Sequence, residues 1–251
     1  MWNDRQAIEV FHLLFLRALA ARVDPAFFVL KGGCDLRFFC KSIRYSDDID
    51  LDVRTVAVNT LKKNVETLLA SPAFLNMLRA QRLAVEAVTS AKQTGTTQRW
   101  KLRIRVNGSP QAIPTKIEFS RRQFDPDLLL EAVDAELINR YRLYAVFTQH
   151  YTPAVAFLHK VEALALRKQT QARDLFDLKL LIDMNARPPA GAELGRILPA
   201  AAENAIGIGY DDFAGQVLAY LEPEYQDRYR PREAWETLQA EVVEALGALR
   251  Q

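Results

Sequence analysis

The sequence predicts an α/β protein, with an α/β part over residues 1–150 and a helical part over 151–251. Three observations carry this. Residues 48–53 and 99–106 alternate polar and apolar at the two-residue period of a strand. Residues 4–22 bring Ile8, Phe11, Phe15 and Ala18 onto one side of a helix. From about Pro153 onward the pattern is mainly helical.

The elements follow in order. The first helix stops at Asp24-Pro25. Phe27-Phe28-Val29-Leu30 is a short apolar run, read as a buried strand that ends in a turn at Lys31-Gly32-Gly33. A short helix begins at Leu36-Arg37-Phe38-Phe39. Asp48 to Val53 is a strand, and Val56 to Leu69 a helix. Arg99–Val106 and Lys116–Ser120 flank the turn signal Asn107-Gly108-Ser109-Pro110, which predicts a hairpin. One long helix, or two in tandem, covers Ala154 to Ile182. Arg187-Pro188-Pro189 breaks it, and the helical remainder breaks again near Glu222-Pro223. There is no internal repeat and no low-complexity stretch.

Composition bounds the function. With 251 residues, 49% hydrophobic and 25% charged, the chain reads as ordinary globular and excludes a disordered, collagen-like or disulfide-scaffold protein. The net charge of +2 implies no nucleic-acid partner unless the basic residues cluster. Cys34 and Cys40 read as free thiols of a reducing compartment. Neither lies at zinc-ligand spacing from His12, His150 or His159. No segment is long and apolar enough to span a bilayer, and the N-terminus lacks the order of a signal peptide. A soluble, cytoplasmic protein without a membrane partner is expected.

The chemistry concentrates between Lys31 and Val53. Asp48 and Asp50 point to one face of their strand, Asp52 shares that parity, and Asp47 does not. Neighbouring carboxylates repel unless a cation lies between them, and Mg²⁺ favours such oxygens together with phosphates. Alone, such a pair is more often a solvated acidic strand end. Gly32-Gly33, between an apolar run and a short helix, lets backbone N–H groups approach a phosphate. Strand, Gly-Gly turn, short helix and Asp-x-Asp strand form an ordered series that sets a phosphate cradle beside a metal pair. Phosphoryl or nucleotidyl transfer needs that arrangement.

These residues carry a resemblance. Lys31-Gly32-Gly33-Cys34-Asp35-Leu36-Arg37, followed by Arg44-x-Ser46-x-Asp48-Ile49-Asp50, resembles the nucleotidyltransferase superfamily that includes DNA polymerase β. Within it, the match is to the AbiEii/AbiGii toxin family. Cys34 stands where a small hydroxyl residue is expected. A second family-like segment is His159-Lys160-Val161-Glu162-Ala163-Leu164-Ala165-Leu166-Arg167, followed by Arg173-Asp174-Leu175-Phe176-Asp177-Leu178. The resemblance covers roughly residues 10–185.

It implies a nucleotidyltransferase core with a small mixed sheet and flanking helices, followed by a helical region contributing to the active site. It implies Mg²⁺ or Mn²⁺ on Asp48, Asp50 and Glu118, the last also able to serve as base. It implies NTP contacts from Lys31, Gly32, Gly33, Arg44, Ser46, Lys160 and Arg167, with Lys160 and Asp174 catalytic and Asp177 a weaker candidate. The bland reading of the second segment is a surface helix laced with salt bridges such as Arg173 with Asp177.

The implied reaction moves an NMP from an NTP to an acceptor hydroxyl and releases pyrophosphate. The implied role is a toxin of a toxin–antitoxin or phage-defence pair, with tRNA as acceptor and an antitoxin encoded nearby. An antibiotic nucleotidyltransferase and a catalytically dead binding module are the alternatives. Among other signals, Arg99, Lys101, Arg103 and Arg105 beside Trp100 suit an RNA backbone or a strand that blocks edge pairing. Arg121 and Arg122 extend that basic surface. Tyr141, Tyr144 and Tyr151 read as core or interface aromatics, and Cys34 as a buried structural thiol.

Overall fold

The computed structural model describes residues 2–125 and 127–249. The elements in chain order are α1 (Asp4–Ala20), β1 (Phe28–Lys31), α2 (Gly32–Phe39), β2 (Asp48–Val53), α3 (Val58–Ala70), α4 (Pro72–Ala80), β3 (Leu83–Gln93), β4 (Thr97–Val106), β5 (Ala112–Arg121), β6 (Leu128–Ala132), α5 (Ala135–Arg140), β7 (Phe147–Tyr151), α6 (Pro153–Leu166), α7 (Ala172–Asp183), α8 (Leu198–Ile206), α9 (Tyr210–Gln216), α10 (Pro223–Tyr229) and α11 (Arg232–Ala248). The chain divides into two units, Met1–Lys41 with Tyr45–Tyr151, and Ser42–Arg44 with Thr152–Gln251.

The first unit holds a mixed seven-stranded sheet in the order β3-β4-β5-β2-β1-β7-β6. β2 runs parallel to β5, and β1 parallel to β7; the other pairs are antiparallel. The alternation read from the sequence sorts the faces. Ile49, Leu51 and Val53 of β2 join Trp100, Leu102, Ile104 and Val106 of β4 and Ile117 and Phe119 of β5 in one buried core. α1 packs against β4 and β5, and α4 against β3. The opposite face of β2, β4 and β5 carries the charged residues. α1 starts cleanly because Asn3 and Gln6 form a reciprocal capping box.

The predicted hairpin is present as β4 and β5. The expected helix from Val56 is α3, and a second helix, α4, follows it. Ser71 caps α4 by accepting from the Phe74 N–H, with Pro72 in the first turn. β3 carries no strand signal in the sequence because it is mostly exposed and its register is irregular near Val85/Ala87 and Thr89/Lys92, which erases a clean alternation.

The second unit is helical. Of the two expectations for 154–182, the tandem pair is present: Arg167 takes extended angles (φ −69°, ψ 139°) and ends α6, and α7 begins at Ala172. α6, α7, α8 and α11 pack on one another, and Trp235 stacks on Phe213 with ring centroids 4.7 Å apart. The break near Glu222-Pro223 is the start of α10, where Pro223 needs no N–H partner. Arg44 pairs with Leu221 in a single antiparallel bridge, and the Glu222 N–H donates to the Ile43 carbonyl (2.9 Å). Among the described residues no helix is long and apolar enough to cross a membrane.

Candidate active site

β2 and β5 build an acidic cluster in register. Asp48 lies opposite Lys116 and Asp50 opposite Glu118 across the parallel ladder. Residues of equal parity on neighbouring strands share a face, so Asp48, Asp50, Lys116 and Glu118 project together. Lys116 Nζ lies 3.0 Å from Asp48 Oδ2, 3.6 Å from Glu118 Oε2 and 4.0 Å from Asp50 Oδ1. Arg99 Nε, on β4, donates to Glu118 Oε2 at 2.6 Å.

The electrostatics follow. Burial pushes the Asp50 carboxyl above its ordinary value, and the charges of Asp48 and Glu118 add to this against Lys116 and Lys31. Burial also pushes Glu118 upward, but the Arg99 hydrogen bond and the Lys116 charge outweigh it and hold Glu118 low, hence ionised.

The glycine turn adjoins this cluster. Gly32 has φ +70°, a left-handed conformation that favours glycine, and a Cβ added there would sit 3.5 Å from Asp50 Oδ2. Gly32 and Gly33 form the first turn of α2, and Lys31 precedes it without a capping side-chain hydrogen bond. The first N–H groups of α2 are thus left without a side-chain cap beside Asp50.

Lys31 is instead held by Asp52. That carboxylate is fully buried and receives Lys31 Nζ (2.5 Å), Arg122 Nε (2.6 Å) and the Tyr151 hydroxyl (2.8 Å). Burial and the facing Asp52 charge push the Tyr151 hydroxyl far upward, so it stays a donor.

The start of β2 is pinned from behind. Ser46 Oγ donates to the Asp48 carbonyl at 2.9 Å, and Cys34 Sγ lies 3.2 Å from the same oxygen. Thr115 Oγ1 donates to the Asp47 carbonyl at 2.7 Å and meets His12 Nε2 at 2.9 Å. Burial lowers His12 to about 3, so its ring is neutral. Burial raises the Cys34 thiol, which agrees with a structural thiol at this position.

The second family-like segment forms another cluster, inside the helical unit. Asp174 and Asp177, one turn apart on α7, are buried. Arg44 donates to Asp177 at 2.8–3.0 Å through Nε and Nη2. Lys160 Nζ lies 2.7 Å from Asp177 Oδ2 and 3.0 Å from Asp174 Oδ1, and Arg167 Nε lies 3.0 Å from Asp174 Oδ2. Asp174 Oδ2 nonetheless lacks a properly aligned hydrogen-bond donor.

Burial opposes the charge on Lys160, yet Asp177 and Asp174 raise its pKa. Burial likewise opposes the charge on Asp177, yet Arg44 and Lys160 lower its pKa. Arg44 and Lys160, expected to hold nucleotide, pair here with buried aspartates. The surface-helix reading fails: Asp177 pairs with Arg44 and Lys160 in the interior, in place of the expected i,i+4 bridge from Arg173.

The basic strand is corrected in two ways. β4 has partners on both sides, so its charges do not guard an edge. Trp100 is fully buried on the opposite face and offers no platform to a base. Of the basic residues, Arg99 pairs with Glu118, while Arg103 and Arg105 face Glu86 on β3 at 3.9 and 2.5 Å. Arg122 turns inward to Asp52, and Arg121 donates to Gln98 and the Val56 carbonyl. Tyr141 and Tyr151 are buried and Tyr144 is exposed. Sequence reasoning missed Lys116 and the Asp52 hub. The signal for Lys116 was its parity with Glu118, two residues on.

The fold is that of a nucleotidyltransferase. The protein JHP933 from Helicobacter pylori superposes with a TM-score of 0.63 at 16% identity, covering 100% of this chain and 94% of that one. A second Helicobacter pylori protein, described as a candidate nucleotidyltransferase, gives 0.58 at 17% identity, with 98% of each chain covered. Residues 14–248 match the family described as nucleotidyl transferase AbiEii toxin, type IV toxin–antitoxin system, and the chain belongs to that family. No curated protein matches it.

Proposed function

We propose that the chain is a metal-dependent nucleotidyltransferase that moves an NMP from an NTP to an acceptor hydroxyl, with tRNA as acceptor. The observation that carries this is the placement of Asp48, Asp50 and Glu118 on one sheet face, with the α2 glycine turn against Asp50.

The donor set fits a hard divalent cation. Three carboxylates converge on one ammonium, and burial with mutual repulsion pushes Asp50 up, as expected where a counter-charge is needed. Among the described residues the carboxylates are not drawn in to metal-ligand spacing; they are held around Lys116. Asp48, Asp50 and Glu118 would hold Mg²⁺ or Mn²⁺. Such an ion, when bound, neutralises phosphate charge and aligns an in-line displacement.

The chain's own groups supply the rest. The first N–H groups of α2, at Gly32 and Gly33, receive phosphate oxygens. Lys31, fixed by Asp52, adds positive charge at the same turn. Ser46 fixes the Asp48 carbonyl and with it the aim of the carboxylate. Glu118, held ionised, takes the proton as the acceptor oxygen bonds to the α-phosphorus and the bond to pyrophosphate breaks. In the helical unit, Arg167 is half-exposed and its Nε lies 3.0 Å from Asp174 Oδ2. Lys160 and Arg44 hold α7 in place through Asp174 and Asp177.

Arg99, Lys101, Arg103 and Arg105 share the sheet face of Glu118 through the β4–β5 register. A cationic face beside the acids favours a polyanionic acceptor over a cationic drug. The family supports a toxin paired with an antitoxin; a cytoplasmic role in phage defence extends that reading. The test is incubation with each NTP, Mg²⁺ and total tRNA. Label on RNA with the wild type and none with Asp48→Ala supports the proposal. Label on an aminoglycoside or lincosamide moves the acceptor class. No turnover, with tight partner binding, makes the chain a binding module.

A further inference from the structure

The positive charge at the centre of the acidic cluster belongs to the chain. Lys116 faces Asp48 across the ladder and precedes Glu118 by two residues on the same face of β5, so strand register places it there. Its ammonium lies within 4.0 Å of all three carboxylates. Its side chain is 26% exposed, sheltered enough for these attractions to escape full solvent screening. The carboxylate oxygens it holds are the hard oxygens a divalent cation takes, and that cation repels an ammonium.

We propose that Lys116 is a built-in counter-ion that competes with the divalent metal for Asp48, Asp50 and Glu118. In the metal-free protein it keeps three mutually repelling acids assembled. Its presence weakens the site for a free metal ion, so loading is favoured when the ion arrives with a nucleotide whose phosphates supply further negative charge. This inference rests on reading the three acids as metal-binding.

The test titrates Mn²⁺ against the full chain without nucleotide, following free Mn²⁺ by its paramagnetic resonance. K116M removes the competitor and leaves the site one charge more negative. It is expected to bind Mn²⁺ about tenfold more tightly than the wild type. Its melting temperature in EDTA is expected to fall below the wild type's, and Mn²⁺ is expected to raise it by more. K116R keeps the charge and is expected to bind no more tightly than the wild type.

Equal or weaker binding by a folded K116M overturns the counter-ion and leaves the metal reading standing. Absence of Mn²⁺ binding by both wild type and K116M overturns both. If K116M does not fold in chelator, Mg²⁺ is titrated into ¹⁵N-labelled wild type and the Lys116 ammonium resonance, assigned by its loss in K116R, is followed. A shift that saturates with Mg²⁺ supports the proposal, and an unmoved resonance overturns it.

Discussion

Two charge clusters, one per unit, use the same residue types for opposite ends. On the sheet face Asp48, Asp50 and Glu118 surround Lys116, with Arg99 on one flank, and the four clustered side chains are 18–34% exposed. Acids outnumber bases and the contacts to Lys116 are loose, at 3.0 to 4.0 Å. In the helical unit Arg44, Lys160 and Arg167 meet Asp174 and Asp177 at 2.7 to 3.0 Å, and both acids are no more than 1% exposed. A cluster with excess negative charge and open sides can exchange its cation. A buried, paired cluster loses far more by losing a member than it gained by forming. The first has the open, acid-rich character that the proposed chemistry needs, and the second is held chiefly by its buried pairs.

Substitution breaks this comparison in opposite senses. Asp48→Asn should lower nucleotidyl transfer by about 10³-fold, because it removes a ligand and leaves the phosphates unneutralised. Its metal-free melting temperature should be unchanged or higher, since one repelling charge is gone. Asp177→Ala should destabilise the protein by about 3–5 kcal/mol, because it removes a buried carboxylate that both Arg44 and Lys160 face in the interior. Chemical denaturation and a transfer assay on both variants check the pair. Asp48→Asn losing stability as Asp177→Ala does would erase the distinction.

Acid titration sharpens it, because two aspartates of one ordinary value shift in opposite directions. Asp50 is raised above 3.8, so the stability it contributes is present below that pH and is lost as pH rises through its folded value. Asp177 is lowered below 3.8, so its stability is present above that pH and is lost only as pH falls through its folded value. Urea unfolding in chelator from about pH 3 to about pH 7 should show Asp50→Asn gaining on the wild type as pH rises. Asp177→Asn should fall further behind over the same range. Parallel profiles for the two variants would contradict these directions.

The two clusters also differ in how much of them the sequence exposes. β2 was legible because its alternation is clean, and the same alternation fixes which face Asp48 and Asp50 share. Asp52 has the same parity, yet its burial depends on Lys31, Arg122 and Tyr151 arriving from three separated stretches of chain, which no local pattern announces. Trp100 could have been read correctly from parity alone: it alternates with the arginines and so points away from them. Arg44 opens the segment that runs to Asp50, but Asp177, which it grips, lies 133 residues later on α7, beyond any periodicity argument. Only its parity with Glu118 marks Lys116, because a strand lysine is ordinarily a solvent-facing residue.

A smaller effect is expected at the glycine turn, where backbone and site meet. Gly32→Ala places a Cβ in the left-handed region and 3.5 Å from Asp50 Oδ2. The conformational strain should cost about 1–3 kcal/mol, and the displaced turn should reduce transfer as well. Gly95→Ala, with nothing within 4 Å of the added Cβ and no left-handed backbone, should leave both nearly unchanged. Thermal melts and NTP titrations of the two variants decide whether the turn matters through its position or merely as a glycine.

The smallest effect separates surface charge from site charge. Arg103 and Arg105 face Glu86 on the exposed side of β3 and β4, with side chains 35–58% exposed. Exposed pairs of this kind contribute about 0–1 kcal/mol, so Glu86→Gln should leave the melting temperature almost where it was. The same substitution removes the anion that neutralises the basic strand. If that strand lies along a polyanionic acceptor, Glu86→Gln should lower the KM for RNA at low salt, with kcat unmoved and the gain vanishing as ionic strength rises. A changed kcat, or a KM indifferent to salt, would detach this strand from the acceptor and confine the functional charge to the acids of β2 and β5.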